Sequence, residues 1–144
     1  NNDLPTYSDG EMAWTSFNIP LKICHYTWNG FKQGQSVGRN APIHGNHEVK
    51  EQRMHPTQKP VALYKWILEN YAKAGDKILD THLGSQSSRI AAYDLGFDFY
   101  GCELDKQYFD EGCARFEAHR TKVTEIRELG FAKTALGEKN PTLF

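Results

Sequence analysis

The sequence has little of what would staple a fold or grip a polyanion: three cysteines, six prolines and a net charge of −1 over 144 residues. Cys24, Cys102 and Cys113 are odd in number and lack paired spacing. That argues against a disulfide or zinc framework and reads as buried or free thiols in a reducing compartment, the cytoplasm. No apolar run approaches the ~20 residues of a membrane span. The opening residues, NNDLPTYSDG, have neither the basic start nor the apolar stretch of a signal peptide. An initiating Met is also missing, so Asn1 is not expected to be the natural start. A charge near zero argues against a protein whose whole surface binds nucleic acid.

What is present suits one globular domain. Its charge is unevenly placed. Between Phe31 and Lys59 the chain carries Lys32, Arg39, Lys50, Arg53 and Lys59 against Glu48 and Glu51. Such a loop either touches phosphates or is simply solvated. His44, His47 and His55 share the stretch but lack Cys or carboxylate partners at ligand spacing, so no metal site is expected.

Glu11–Phe17 and Lys22–Trp28 are short, aromatic and partly alternating, and predict a strand–turn–strand unit around Asn18 and Pro20. A long irregular stretch follows. Pro60 suits the first turn of a helix carrying Leu63, Trp66, Ile67 and Tyr71, stopped near Lys73 and Gly75. Lys77–Thr81 predicts a buried strand, Arg89–Leu95 a helix with Ser87 or Ser88 as its cap, and Phe97–Glu103 another strand. Asp105 is the expected cap of a last helix with Phe109, Cys113 and Phe116 on one face. From residue 121 the chain is polar and weakly patterned, and reads as a disordered tail ending in PTLF.

The run of strand, small-residue turn, helix, strand and acid carries the chemistry. Asp80 ends the first strand, Gly84 and Ser85 form the turn, and Glu103 ends the second strand. Ligands of α/β sheets sit beyond the carboxyl ends of the strands, and an acid at this distance can take both hydroxyls of a ribose. On these residues alone two readings stand side by side. One is a site for an adenosine-containing ligand; the other is two helix caps and a turn. LGSQSSRIA does not supply the three-glycine fingerprint of a dinucleotide site.

The segment HPTQKP (His55 to Pro60), then a helix, then a strand running into Asp80-Thr-His-Leu-Gly-Ser, resembles the permuted (beta-class) DNA amino-methyltransferases. In that family H-P-[TS]-[QE]-K-P precedes a D-P-F-x-G-S-G cofactor loop. AWTSFN and DTHLGSQSSRIAAYDLGFDFYGCELD look most like phage-type adenine methylases. The resemblance covers roughly Glu11 to Phe116 and implies an α/β, Rossmann-like methyltransferase fold with S-adenosylmethionine as cofactor. It implies that Asp80, Thr81, Gly84 and Ser85 line the cofactor pocket, that Glu103 holds the ribose, and that Thr57, Gln58 and Lys59 meet the methionine end. It divides the chain into a partial methyltransferase domain over 1–120 and the tail over 121–144. Within that domain, 28–54 is a short target-recognition-like loop and 55–120 the cofactor-binding core. The loop would bring Lys32, Arg39, Lys50 and Arg53 to double-stranded DNA.

The pattern departs in two places. His82 and Gln86 stand where the family has Phe and a second Gly; a side chain at Gln86 either crowds the ligand or points away from it. The family also catalyses through [DNS]-P-P-[YFW], whose aromatic ring stacks on a flipped base. No Pro-Pro pair occurs here, and NIPL at Asn18 and NAPI at Asn40 are poor substitutes, so no catalytic residue is assigned. The chain is therefore expected to be the C-terminal part of a longer protein, its open sheet completed by the missing segment or a second copy, or left exposed to aggregation. The implied activity is methyl transfer to the amino group of adenine (N6) before that of cytosine (N4). A non-catalytic module and an unrelated nucleotide-binding protein are the alternatives, and restriction, orphan and phage roles stand equally open. The resemblance makes the expected compartment the cytoplasm of a bacterium or phage-infected host.

Overall fold

The computed structural model describes residues 11–28, 33–35 and 51–135. Lys32, Arg39, Lys50, His44, His47 and the PTLF end lie outside the described residues. The described part is α/β. A short antiparallel ribbon pairs β1 (Tyr26–Trp28) with β2 (Gln33–Gln35). Then come α1 (Val61–Tyr71), β3 (Lys77–Asp80), α2 (Ser87–Leu95), β4 (Asp98–Gly101) and α3 (Lys106–Ala135).

The centre is a β3–α2–β4 unit with parallel strands in register Leu79↔Tyr100 and Asp80↔Gly101. Strand alternation gives its sheet two unlike faces. Ile78 and Phe99 point to the helices and pack with Leu68 of α1 and with Ala91 and Ala92 of α2, which are fully buried. The two alanines carry no bulk beyond Cβ, so α2 lies close to both α1 and the strands. Leu79 and Tyr100 point the other way and are 66% and 57% exposed. Parallel sheets normally bury both faces, so this one is covered on a single side among the described residues.

Gly96 ends α2 in the left-handed region (φ 77) and returns its N–H to Ala92 and Tyr93, and Phe97 N–H also reaches the Ala92 carbonyl. Glycine takes that conformation without a Cβ penalty, which is how the chain turns within two residues from helix to strand. Asp105 caps α3 as expected, its Oδ1 accepting the Tyr108 N–H at 3.0 Å. Phe116 is buried under an edge-on contact with Tyr93 and beneath the Arg89 guanidinium, 3.8 Å from the ring centre.

Three expectations are corrected. Glu11–Phe17 is not a strand, and β1 pairs forward with β2 instead. Met12, Trp14 and Leu21 are almost wholly exposed, so their alternation has no inner face to pack on, and a lone ribbon is marginal in water. Phe17 instead stacks on Tyr71 at 5.4 Å, and Lys22 Nζ donates to Asn70 Oδ1 at 2.9 Å. Neither Ser87 nor Ser88 caps α2: both lie in its first turn and Gln86 holds the cap position. Residues 121–135 continue α3 rather than forming an unstructured tail, because a nucleated helix adds a hydrogen bond with every further residue.

Lys65 of α1, Asp94 of α2 and His119 of α3 meet at one point, with Asp94 2.8 Å from Lys65 Nζ and 2.6 Å from His119 Nε2. Burial opposes ionisation of Asp94, but the hydrogen bonds from His119 and Lys65 outweigh it and hold its pKa below the ordinary 3.8. A depressed carboxylate stabilises the fold above its unfolded value and loses that contribution as pH falls through its folded value. Denaturant midpoints of the chain should therefore fall as pH drops below 3.8. Asp94→Asn should lower the neutral-pH midpoint and flatten this acid limb; an unchanged limb would place the acid sensitivity elsewhere.

Candidate functional site

The β3–α2 turn lies beyond the carboxyl ends of both parallel strands. Cys102 N–H bonds the Asp80 carbonyl at 2.9 Å and Leu83 N–H bonds the Cys102 carbonyl at 3.0 Å, so β4 holds the start of the turn. The Asp80 carboxylate accepts His82 N–H at 2.9 Å and Ser88 Oγ–H at 2.5 Å. From the end of β4, Glu103 Oε2 accepts Gly84 N–H at 2.7 Å, and its Oε1 accepts Asp105 N–H at 3.0 Å. The backbone N–H groups of Asp105 and Gly84 hold the Glu103 carboxyl below its ordinary pKa. Asp80, Gly84 and Glu103, which the sequence pattern singles out, thus share one rim. Thr81 is exposed beside His82, its Oγ1 2.9 Å from His82 Nδ1. Ser85 is buried, its Oγ 3.2 Å from that of Ser87.

The HPTQKP segment lies against this turn through His55. Its ring is 4.2 Å, edge-on, from Tyr108, and a Cβ on Gly84 would come within 3.8 Å of it. Thr57 is exposed, its N–H and Oγ1 3.2 and 3.1 Å from His55 Nδ1. Gln58 is buried and serves its own segment: its amide accepts Met54 N–H at 2.9 Å and donates to the Gln52 carbonyl at 3.2 Å. The Gln58 carbonyl receives Trp28 Nε1–H at 3.0 Å. Lys59 pairs with Glu11 at 2.5 Å. Of this segment, His55 is the side chain seen at the turn, while Thr57, Gln58 and Lys59 are engaged with other residues. Arg53 lies over the Trp28 ring at 5.9 Å, an arrangement that leaves its charge at the surface.

Two residues to which the sequence reading gives no site role join these parts. Arg115 of α3 donates to the Ser85 carbonyl at 2.5 Å and to Ser87 Oγ at 3.0 Å, and it forms an ion pair with Glu51. Glu51 Oε2 also accepts Val61 N–H at 3.2 Å, which caps α1 where Pro60 offers no side-chain acceptor. Burial pushes the Glu51 carboxyl above its ordinary pKa, with Arg115 pulling against it. Nothing periodic marks either residue, since the contact joins points 64 residues apart. Gln86 resolves its own ambiguity. It has φ 61, and its fully buried side chain runs away from the turn into the α3 packing. The mouth of the turn therefore holds no Gln86 side chain.

The chain is similar to known methyltransferases. A Type II methyltransferase, M2.MboI of Moraxella bovis, is 32% identical over 118 residues, 77% of this chain and 42% of that protein. Another, M2.DpnII of Streptococcus pneumoniae, is 41% identical over 64 residues, 44% of this chain and 24% of that protein. This chain thus spans less than half the length of these curated relatives. A crystal structure of an M1.HpyAVI–SAM complex is similar over 44% of this chain and 32% of that one, with 34% identity and a TM-score of 0.43. Residues 13–113, from the segment before β1 into α3, match the DNA methylase family of the N6/N4 type. The chain belongs to that DNA methylase family, whose methyl donor is S-adenosylmethionine.

Proposed function

We propose that this chain is the cofactor-binding part of a DNA methyltransferase that methylates the N6 amino group of adenine, of the permuted and phage-like kind. What carries the reading is the meeting of Asp80, Gly84 and Glu103 on one rim, where Gly84 N–H and the Glu103 carboxylate lie 2.7 Å apart. A pocket for S-adenosylmethionine fits these residues. Gly84 presents no Cβ, Gln86 is turned away, and Glu103 keeps acceptor capacity beyond its two backbone bonds. In this arrangement Glu103 takes the ribose hydroxyls and Asp80, with Thr81 and Ser85, borders the methionine part. Thr57 is exposed to meet that part and Lys59 meets it once it leaves Glu11, while buried Gln58, its amide held by Met54 and Gln52, shapes the segment from within. The bound cofactor supplies the electrophilic methyl group. The protein's share is to orient it and exclude water, since orientation rather than a strong base carries most of the rate.

The rest of the site, including [DNS]-P-P-[YFW], comes from outside these 144 residues. The bare Leu79–Tyr100 face and the unpaired edge of β3 among the described residues support this view of an incomplete Rossmann-like sheet. Residues 28–54 and their basic side chains Lys32, Arg39, Lys50 and Arg53 form the contact with double-stranded DNA. The missing tetrapeptide favours a second reading, a cofactor- or DNA-binding module without catalysis, and methylation by the full reading frame separates the two.

Calorimetric titration of S-adenosylhomocysteine into the chain tests the cofactor reading. Saturable one-site binding, with NAD bound far more weakly, is expected. Folded protein that ignores S-adenosylhomocysteine, or prefers NAD, would overturn it.

A further inference from the structure

We propose that Gln86 is a positioning residue of the cofactor turn, which it anchors to α3 so that the shape of the pocket is set from that helix. The inference rests on the cofactor reading above and deepens it. Gln86 occupies the left-handed region (φ 61, ψ 26), where a residue with a Cβ is strained unless its surroundings hold it. They do so here. The side chain is fully buried, and its Nε2 donates to the Phe109 carbonyl at 3.2 Å and lies 3.3 Å from Cys113 Sγ. Its Oε1 accepts from Arg89 Nη1 at 2.9 Å, and its backbone carbonyl takes Ile90 N–H at 3.1 Å. Both ends of the amide are therefore satisfied, one by α3 and one by α2.

Gly112 makes the room. A Cβ there would stand 2.7 Å from Gln86 Cγ and 2.9 Å from its Nε2, closer than packed carbon atoms come. Gln86 cannot swing aside, because its side chain has no exposed surface to move into. The long side chain in the turn and the missing side chain on the helix thus form one fitted pair. Glycine would reach the same φ through freedom alone; Gln86 reaches it through contacts, and so makes the turn depend on where α3 lies. Arg115, bonded to the Ser85 carbonyl, adds a second tie from the same helix.

A double-mutant cycle on the full chain, read by S-adenosylhomocysteine calorimetry and by thermal midpoint, tests the idea. Gly112→Ala should push Gln86 and the turn, weaken binding by about tenfold and lower the midpoint. In a Gln86→Gly background the same alanine meets no amide, leaves the already weakened affinity where it is, and raises the midpoint through better helix propensity. This reversal of sign is what separates positioning from filling. The proposal is overturned if Gly112→Ala lowers the midpoint but leaves affinity within about twofold. It is also overturned if the alanine weakens binding equally in both backgrounds. Hydrogen exchange at residues 84–88 gives a second readout: Gly112→Ala should speed it, and unchanged exchange would also refute the coupling. Absence of binding by the unsubstituted chain would sink the cofactor reading itself, and is seen before any substitution is made.

Discussion

Glu103→Ala should weaken S-adenosylhomocysteine binding by about 100-fold, since hydrogen bonds to a charged acceptor are the strong ones and the proposed pocket gives this carboxylate both ribose hydroxyls. Each Glu103 oxygen already accepts one backbone N–H, from Gly84 and from Asp105, which fixes the carboxylate at the rim and leaves lone pairs facing outward. Calorimetry is the measurement, with the thermal midpoint alongside. The midpoint should move little, because water can replace the carboxylate at Gly84 and Asp105. Glu103→Gln, which keeps one acceptor oxygen, should fall between. A loss below about threefold would place the ribose elsewhere. A midpoint that collapses together with affinity would reduce Glu103 to a holder of the turn. The pH profile adds a sign. The depressed pKa keeps Glu103 ionised above 4.5, so its share of binding persists through neutral pH and is lost only as pH falls below that value.

The parts of this site that follow from local rules were legible in the sequence. The unit of β3, α2 and β4 stands within two residues of its expected bounds, because Ile78, Ile90 and Phe99 repeat at strand and helix periods and Gly96 punctuates them. Asp105 sits at its cap because a short carboxylate before a helix has one natural partner. Glu11–Phe17 failed for the opposite reason. Its alternation is that of a strand, but pairing and burial depend on a neighbour, and among the described residues Met12 and Trp14 have none to lie against. The Ser87 and Ser88 assignment failed because Ser88 is drawn to Asp80, a tertiary bond that propensity does not see. Gln86 was visible as a departure from the family pattern, but its direction depends on Gly112, a residue that no local motif connects to it.

Arg115→Ala should lower stability by about 3 kcal/mol, the lower end for breaking a largely buried ion pair, because 16% of Arg115 and 21% of Glu51 side-chain surface reach solvent. For a folded part of this size that is a fall of about 10 °C or more in thermal midpoint. The cause is what remains behind. Glu51 loses its counter-charge while still bonded to Val61 N–H, and the Ser85 carbonyl and Ser87 Oγ lose their donor at the root of the β3–α2 turn. Arg115→Lys should recover only part, because one ammonium cannot span three partners that a guanidinium fork reaches together. Glu51→Gln in the Arg115→Ala background should restore some of the loss by removing the stranded charge while keeping an oxygen for Val61. The pH dependence gives the sharper check. Burial already holds the Glu51 pKa high, and without Arg115 the main opposing influence is gone. A carboxyl with a raised folded pKa favours the folded state below its unfolded value and loses that advantage as pH rises through the folded one. The deficit of Arg115→Ala should therefore be smallest near pH 4.5 and grow toward neutrality, and Glu51→Gln should abolish that growth. A deficit independent of pH would mean that the Ser85 and Ser87 bonds, not the ion pair, carry the effect, and that α3 is fastened to the β3–α2 turn by guanidinium bonds to neutral acceptors alone.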